Sequence, residues 1–120
     1  MKRRPWAWGV GLLVAAGVAA CAHAGGNATP VATDRVELPP SYMFRPAAIT
    51  VAAGTGVTWV NHDHFTHSVR LLDDGGAIHV LRPGDSVTVS FATPGLHRYD
   101  CSFHPRDMHG SVLVSLKPGD

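Results

Sequence analysis

Tyr99-Asp100-Cys101-Ser102-Phe103-His104-Pro105-Arg106-Asp107-Met108-His109-Gly110 sets a thiol, an imidazole and a thioether along one short run, in the pattern C-x2-H-x3-M. Thiolate and thioether donors favour Cu(I), and imidazole suits both copper oxidation states, so the run fits an ion that cycles between the two. A trigonal His2Cys site with a weak axial Met needs one more imidazole from elsewhere in the chain. Asn61-His62-Asp63-His64-Phe65-Thr66-His67-Ser68 offers it, and His67 is the expected donor.

The segments on either side of the run read as strands. Leu96 to Cys101 leads into it and Ser111 to Leu116 leads out, so the donors lie on a strand-to-strand loop. Pro105 stiffens that loop, and Gly110 is expected to permit the turn back into the sheet. Upstream, Val36 to Leu38, Ala48 to Val51, Val57 to Val60, Val69 to Leu72, Ile78 to Leu81 and Val87 to Phe91 are short apolar runs. Turn signals separate them at Pro39-Pro40-Ser41, Ala53-Gly54-Thr55-Gly56, Asp73-Asp74-Gly75-Gly76, Arg82-Pro83-Gly84-Asp85 and Thr93-Pro94-Gly95. Val87, Val89 and Phe91 alternate with Thr88 and Ser90, the period of a strand with one buried face. No helical period occurs. The pattern predicts an all-β antiparallel sandwich of about seven or eight strands, with Trp59, Phe91 and Tyr99 as its large core residues.

These residues reach a family. The chain resembles the cupredoxins, the small blue copper proteins, and is most similar to their plastocyanin and amicyanin branch. The resemblance rests on the turn from Asn61 to His67, on the Tyr-x-Cys-x2-His-Pro core from Tyr99 to Pro105, and on Met108 followed by x-Gly and the apolar run Ser111 to Leu116. It implies a Greek-key sandwich over roughly residues 34 to 116 and a single copper ion, with His67, Cys101 and His104 as equatorial ligands and Met108 as the axial one. It also implies larger redox proteins as partners, docking on an apolar patch around the exposed edge of His104. Phe103, Pro105, Phe65 and Met43 are candidates for that patch. The chain departs from the family in two places. The spacing from His104 to Met108 is one residue longer than in typical amicyanins and one shorter than in typical plastocyanins. Ser68 stands where those families usually carry an Asn that ties the two ligand loops together.

The N-terminus reads as an export signal. Met1-Lys2-Arg3-Arg4 is a charged start and Pro5 to Ala20 an apolar stretch, short for a membrane span and weakened by Gly9, Gly11 and Gly17. Val18-Ala19-Ala20-Cys21 resembles a bacterial lipobox, which would leave Cys21 lipidated; the competing cut follows Ala22-His23-Ala24. The expected organisation is therefore a lipoprotein-type signal peptide over 1–20, a flexible linker over 21–33 and the domain over 34–120, in the bacterial periplasm and anchored to its membrane. Cys101 is then the one thiol left in an oxidising compartment, where a bound metal would protect it. A Cys21–Cys101 disulfide is not expected, because Cys21 precedes a flexible stretch.

Charge excludes more than it assigns. Without Lys2, Arg3 and Arg4, seven basic residues face nine acidic ones, and no basic run interleaves with aromatics, so nucleic acid is not an expected partner. A monomer is expected. Taken singly, a Cys, His or Met is ordinarily a packing or surface residue; the set in this order and spacing carries the metal reading. His62 and His64 offer a second, surface ion site, weighed against a pair of solvated loop residues. Three classes of function follow: an electron carrier, a copper-delivery module using the same donors, and a thiol enzyme with Cys101 as nucleophile. Four occupied donor positions leave none open for substrate, which favours a carrier over an enzyme. One small domain lacks the paired His motifs of a multicopper oxidase.

Overall fold

Alternating apolar and polar side chains turn this chain into strands, most of them with one face in the core. In the computed structural model, which describes residues 29–117, nine strands form and no helix. They are β1 (Val31–Ala32), β2 (Arg35–Leu38), β3 (Ala48–Ala52), β4 (Thr55–Asn61), β5 (His67–Leu71), β6 (Ile78–Leu81), β7 (Ser86–Phe91), β8 (Gly95–Asp100) and β9 (His109–Ser115). β3 shows the pattern plainly: Ile49 and Val51 point inward while Ala48, Thr50 and Ala52 are half-buried.

A six-stranded sheet runs β1-β3-β9-β8-β5-β6 and packs on a three-stranded sheet β2-β4-β7. The expected all-β sandwich is present, with two corrections. The sheets are mixed rather than antiparallel, since β1 with β3, β2 with β4 and β3 with β9 pair in parallel. The ninth strand is β1, which lies inside the stretch read as linker, so the sheet takes in Val31 and Ala32. The expected signal peptide and Cys21 lie outside the described residues.

The inner faces meet in one core. Trp59 and Tyr99 are buried and stand edge-on, ring centroids 5.2 Å apart, with Phe91 6.2 Å from Trp59 and Phe44 4.8 Å from Tyr99. Aliphatic residues such as Val36, Ile49, Val57, Val69 and Val112 fill the space between sheets and are wholly buried; each contributes about 1.5–3 kcal/mol of transfer free energy. Tyr99 also donates its hydroxyl to Ala47 O at 3.0 Å, and burial pushes its phenol pKa up.

The strand order fixes where chemistry can occur. β5 and β8 are antiparallel neighbours with Arg70 opposite Asp100. The start of β5 and the end of β8 therefore lie side by side at one end of the sandwich. Those two strand ends carry His67 and the run from Cys101.

Candidate metal centre

Backbone hydrogen bonds explain the spacing of the donor run. Its loop occupies residues 101–108, between β8 and β9. His104 N–H donates to Cys101 O at 3.1 Å, an i to i+3 turn that accounts for C-x2-H. Met108 N–H donates to His104 O at 2.9 Å, an i to i+4 turn that accounts for H-x3-M. Cys101 N–H donates to Met108 O at 2.9 Å and closes the loop. Each of these residues is thus held by the backbone of another, and the His104-to-Met108 spacing is that of a single closed turn. Pro105 sits exposed within it.

The side chains converge. Cys101 Sγ lies 3.8 Å from His104 Nδ1 and 4.0 Å from His67 Nδ1. The donor atoms of all three residues lie within 4.8 Å of one another, and among the described residues this is the one such group. For a triangle with those sides, the point equidistant from the corners lies no further than about 2.5 Å from any of them, close to the roughly 2.0–2.3 Å of metal–nitrogen and metal–sulfur bonds. The donor set and its spacing therefore fit a copper ion. Cys101, His67 and Met108 are wholly buried, whereas His104 is partly open to solvent. Cys101 is a free thiol.

His67, the first residue of β5, is oriented from behind. Its Nε2 is 2.7 Å from Asp63 Oδ2, with both side chains shielded from water. The hydrogen bond from His67, reinforced by the His64 N–H, holds the Asp63 carboxyl below the usual carboxylate range against the opposing effect of burial. The loop that carries Asp63 is itself pinned. Asn61 Nδ2 donates to Phe65 O at 2.8 Å and to Leu81 O at 2.9 Å, while Asn61 Oδ1 accepts from Asp63 N–H at 2.9 Å.

Ser68 makes the tie between the ligand loops that an Asn would otherwise make. Continuing the β5–β8 register sets it opposite Ser102, and its Oγ accepts from Ser102 N–H at 2.8 Å. The two hydroxyls are also 2.8 Å apart, and Ser68 Oγ is 3.9 Å from Cys101 Sγ. Two residues further along each strand, Arg70 grips Asp100 with two bonds of 2.8 and 2.7 Å. That pairing, opposed by burial, raises the Arg70 pKa, and the neighbouring Cys101 adds to the rise.

Tyr42 covers the histidines from outside. Its ring centroid is 4.8 Å from that of His104 and 5.7 Å from that of His67, and it stacks on Phe65 at 5.7 Å. Its φ of 52° is the one positive value at a non-glycine among the described residues, an unusual conformation for a bulky side chain. Phe65, Phe103 and Met43, expected around His104, are exposed, as is Tyr42.

The surplus histidines do not join the cluster. His62 pairs with Glu37, and His64 and His109 are exposed. His97 lies 2.6 Å from Asp73 Oδ2 and 2.7 Å from Thr93 O. Four contributors were missed from the sequence: Asp63, Tyr42, Ser102 and the Arg70–Asp100 pair. Only Asp63 left a signal, as an acid in the run four residues before the expected ligand.

A model of the cupredoxin-like domain matches residues 11–114. The chloroplastic plastocyanin of Tetradesmus obliquus is 32% identical over 84 residues, covering 60% of this chain and 58% of that protein. Amicyanin-alpha of Methylorubrum extorquens is 32% identical over 76 residues, covering 59% of this chain and 63% of that protein. The chain thus spans less than two thirds of the length of either. A solved purple cupredoxin from Nitrosopumilus maritimus superposes with a TM-score of 0.60 at 29% identity, over 68% of this chain and 98% of that one.

Proposed function

Since the chain belongs to the cupredoxin family, we propose that it carries single electrons between redox partners, through one copper ion held by His67, Cys101, His104 and Met108. The observation that carries this reading is the convergence of two imidazole Nδ1 atoms on one buried Sγ, in a loop whose donors are braced by each other's backbone. A copper ion held there supplies a one-electron couple, Cu(I)/Cu(II).

The residues of this chain do the rest. Cys101 presents a buried sulfur that solvent oxidants cannot reach. Ser68 and the backbone turns keep the donors in place through a change of charge, so little has to reorganise. Met108 would take the fourth position and leave none open for substrate, which favours a carrier over an enzyme. His104, the one donor partly open to solvent, is the exit for electrons. Tyr42, Phe65, Phe103 and Met43 form an apolar rim beside it that suits transient docking of a larger redox protein. The protein acts as a monomer and binds no nucleic acid.

We also propose that residues 1–20 direct export and that Cys21 carries a lipid anchor in the bacterial periplasm, with a tether between anchor and sandwich. The charged and apolar order of Met1 to Ala20 and the Val18-Ala19-Ala20-Cys21 sequence support this.

Voltammetry of the copper-loaded full-length protein, paired with a Cu(I) chelator challenge, tests the carrier reading. A reversible one-electron wave with slow loss of Cu(I) is expected. Rapid surrender of Cu(I) to the chelator would make the protein a delivery module instead.

A further inference from the structure

The contact behind His67 is more than a structural hydrogen bond. An ionised carboxylate can only accept, so in the pair of His67 Nε2 with Asp63 Oδ2 at 2.7 Å the proton sits on Nε2. The lone pair of a neutral ring is then on Nδ1, the atom that faces Cys101 Sγ. A backbone carbonyl or a water in the same place would fix the tautomer equally well. A carboxylate adds a full negative charge, buried within one ring of the donor atoms.

Among the described residues no other ion pair neutralises that charge: Asp63 has no Arg or Lys partner, and its one ion-pair contact is His67. Its remaining bonds are to neutral groups: Oδ1 accepts from His64 N–H at 2.7 Å, and its own N–H donates to Asn61 Oδ1. These bonds also fix where the carboxylate points, because Asn61 is anchored to Phe65 O and Leu81 O. In a site shielded from solvent, a nearby charge is screened far less than in water.

We propose that Asp63 is a positioning residue for the metal centre: its carboxylate selects the His67 tautomer, and its buried charge favours the more oxidised ion and so lowers the reduction potential. This rests on the reading of His67 as a ligand. An Asn keeps one acceptor oxygen, enough for the His67 Nε2–H at the loss of the His64 N–H bond, so it should raise the potential while the ring keeps its tautomer, whereas removing the acceptor altogether should release the ring as well.

Two measurements on the full-length protein test this. In the copper-free protein, nitrogen NMR at pH 8 is expected to place the His67 proton on Nε2 in the wild type and in Asp63→Asn, and to show mixed tautomers in Asp63→Leu. In the copper-loaded protein, Asp63→Asn is expected to lower the ratio of Cu(II) to Cu(I) affinity about tenfold, the low end of the 10–100-fold effects of outer-shell changes. For a one-electron couple that is about 59 mV upward. A wild-type His67 protonated on Nδ1 would overturn the proposal without any variant having to fold. So would an Asp63→Asn protein with the wild-type potential. A His67→Ala protein that keeps an intact thiolate-to-copper band would instead remove the premise that His67 is a ligand, and the potential claim with it.

Discussion

Gly110 faces Tyr99 across the β8–β9 ladder, and a methyl group placed on it would have nowhere to go. Its Cβ would lie 2.3 Å from Ala47 O and 2.5 Å from both Cζ and the hydroxyl of Tyr99. Relief needs a shift of about 1 Å to reach ordinary van der Waals separation, and neither neighbour can yield cheaply. Ala47 O accepts from both Ser111 N–H at 2.9 Å and the Tyr99 hydroxyl at 3.0 Å. The Tyr99 ring is wedged between Phe44 and Trp59. Overpacking of this kind costs about 1–3 kcal/mol, and breaking the Tyr99–Ala47 bond adds about 1 kcal/mol. Removing a glycine from a strand returns roughly 0.5–1 kcal/mol. Gly110→Ala is therefore expected to destabilise the copper-free protein by about 1–3.5 kcal/mol, or roughly 5–25 °C in Tm for a domain of this size. Urea and thermal unfolding of the full-length protein measure it. A loss under about 0.5 kcal/mol, ordinary for surface changes, would refute the packing argument.

Ser68→Ala strips the Ser102 N–H of its acceptor in a part-buried position and should cost about 1–3 kcal/mol in urea unfolding. The same variant should slow electron self-exchange of the copper-loaded protein, because the tie between the ligand strands is gone. Arg70→Gln should lower the urea midpoint more than Arg82→Gln. Arg70 makes two short bonds to a largely buried Asp100, whereas the Arg82–Asp85 contact is 3.5 Å and exposed. Glu37 is held below its ordinary value of 4.5 first by the hydrogen bond from Arg35, against burial, with His62 adding to it. Its folded pKa is depressed, so its contribution to stability is present above that ordinary value and fades as pH falls below it. Tm measured from pH 6 down to pH 3 should fall less steeply in Glu37→Gln than in the wild type.

The donor run was legible from sequence because its geometry is local. C-x2-H and H-x3-M are the spacings of two hydrogen-bonded turns, which bring the backbones of Cys101, His104 and Met108 together. The strands were legible for a similar reason, since a period of two over Val87 to Phe91 needs only neighbouring residues. What escaped depends on contacts far along the chain. The parallel pairing of β3 with β9 joins residues such as Ile49 and Val112, which no local pattern announces. β1 is two residues long and gains its identity only from Ile49 and Thr50 alongside. Asp63 lay in plain view among three histidines, yet its role depends on which way the His67 ring turns. Tyr42 follows Pro39-Pro40-Ser41, a turn signal that says nothing of the ring above His104. Ser68 looked like a departure from the family's usual tie, but its pairing with Ser102 restores the link with shorter side chains. Gly110 was expected to permit a turn; it lies within β9, and close packing by Tyr99 and Ala47 is what requires it.

The central claim is that Cys101 Sγ binds copper together with His67 and His104. The visible and EPR spectra of the full-length protein loaded with Cu(II) test it most directly, beside those of Cys101→Ser. An intense thiolate-to-copper charge-transfer band, absent from the variant, is the predicted result. A pale spectrum of ordinary Cu(II) bound to nitrogen and oxygen, unchanged by Cys101→Ser, would contradict the account and move the metal to other histidines.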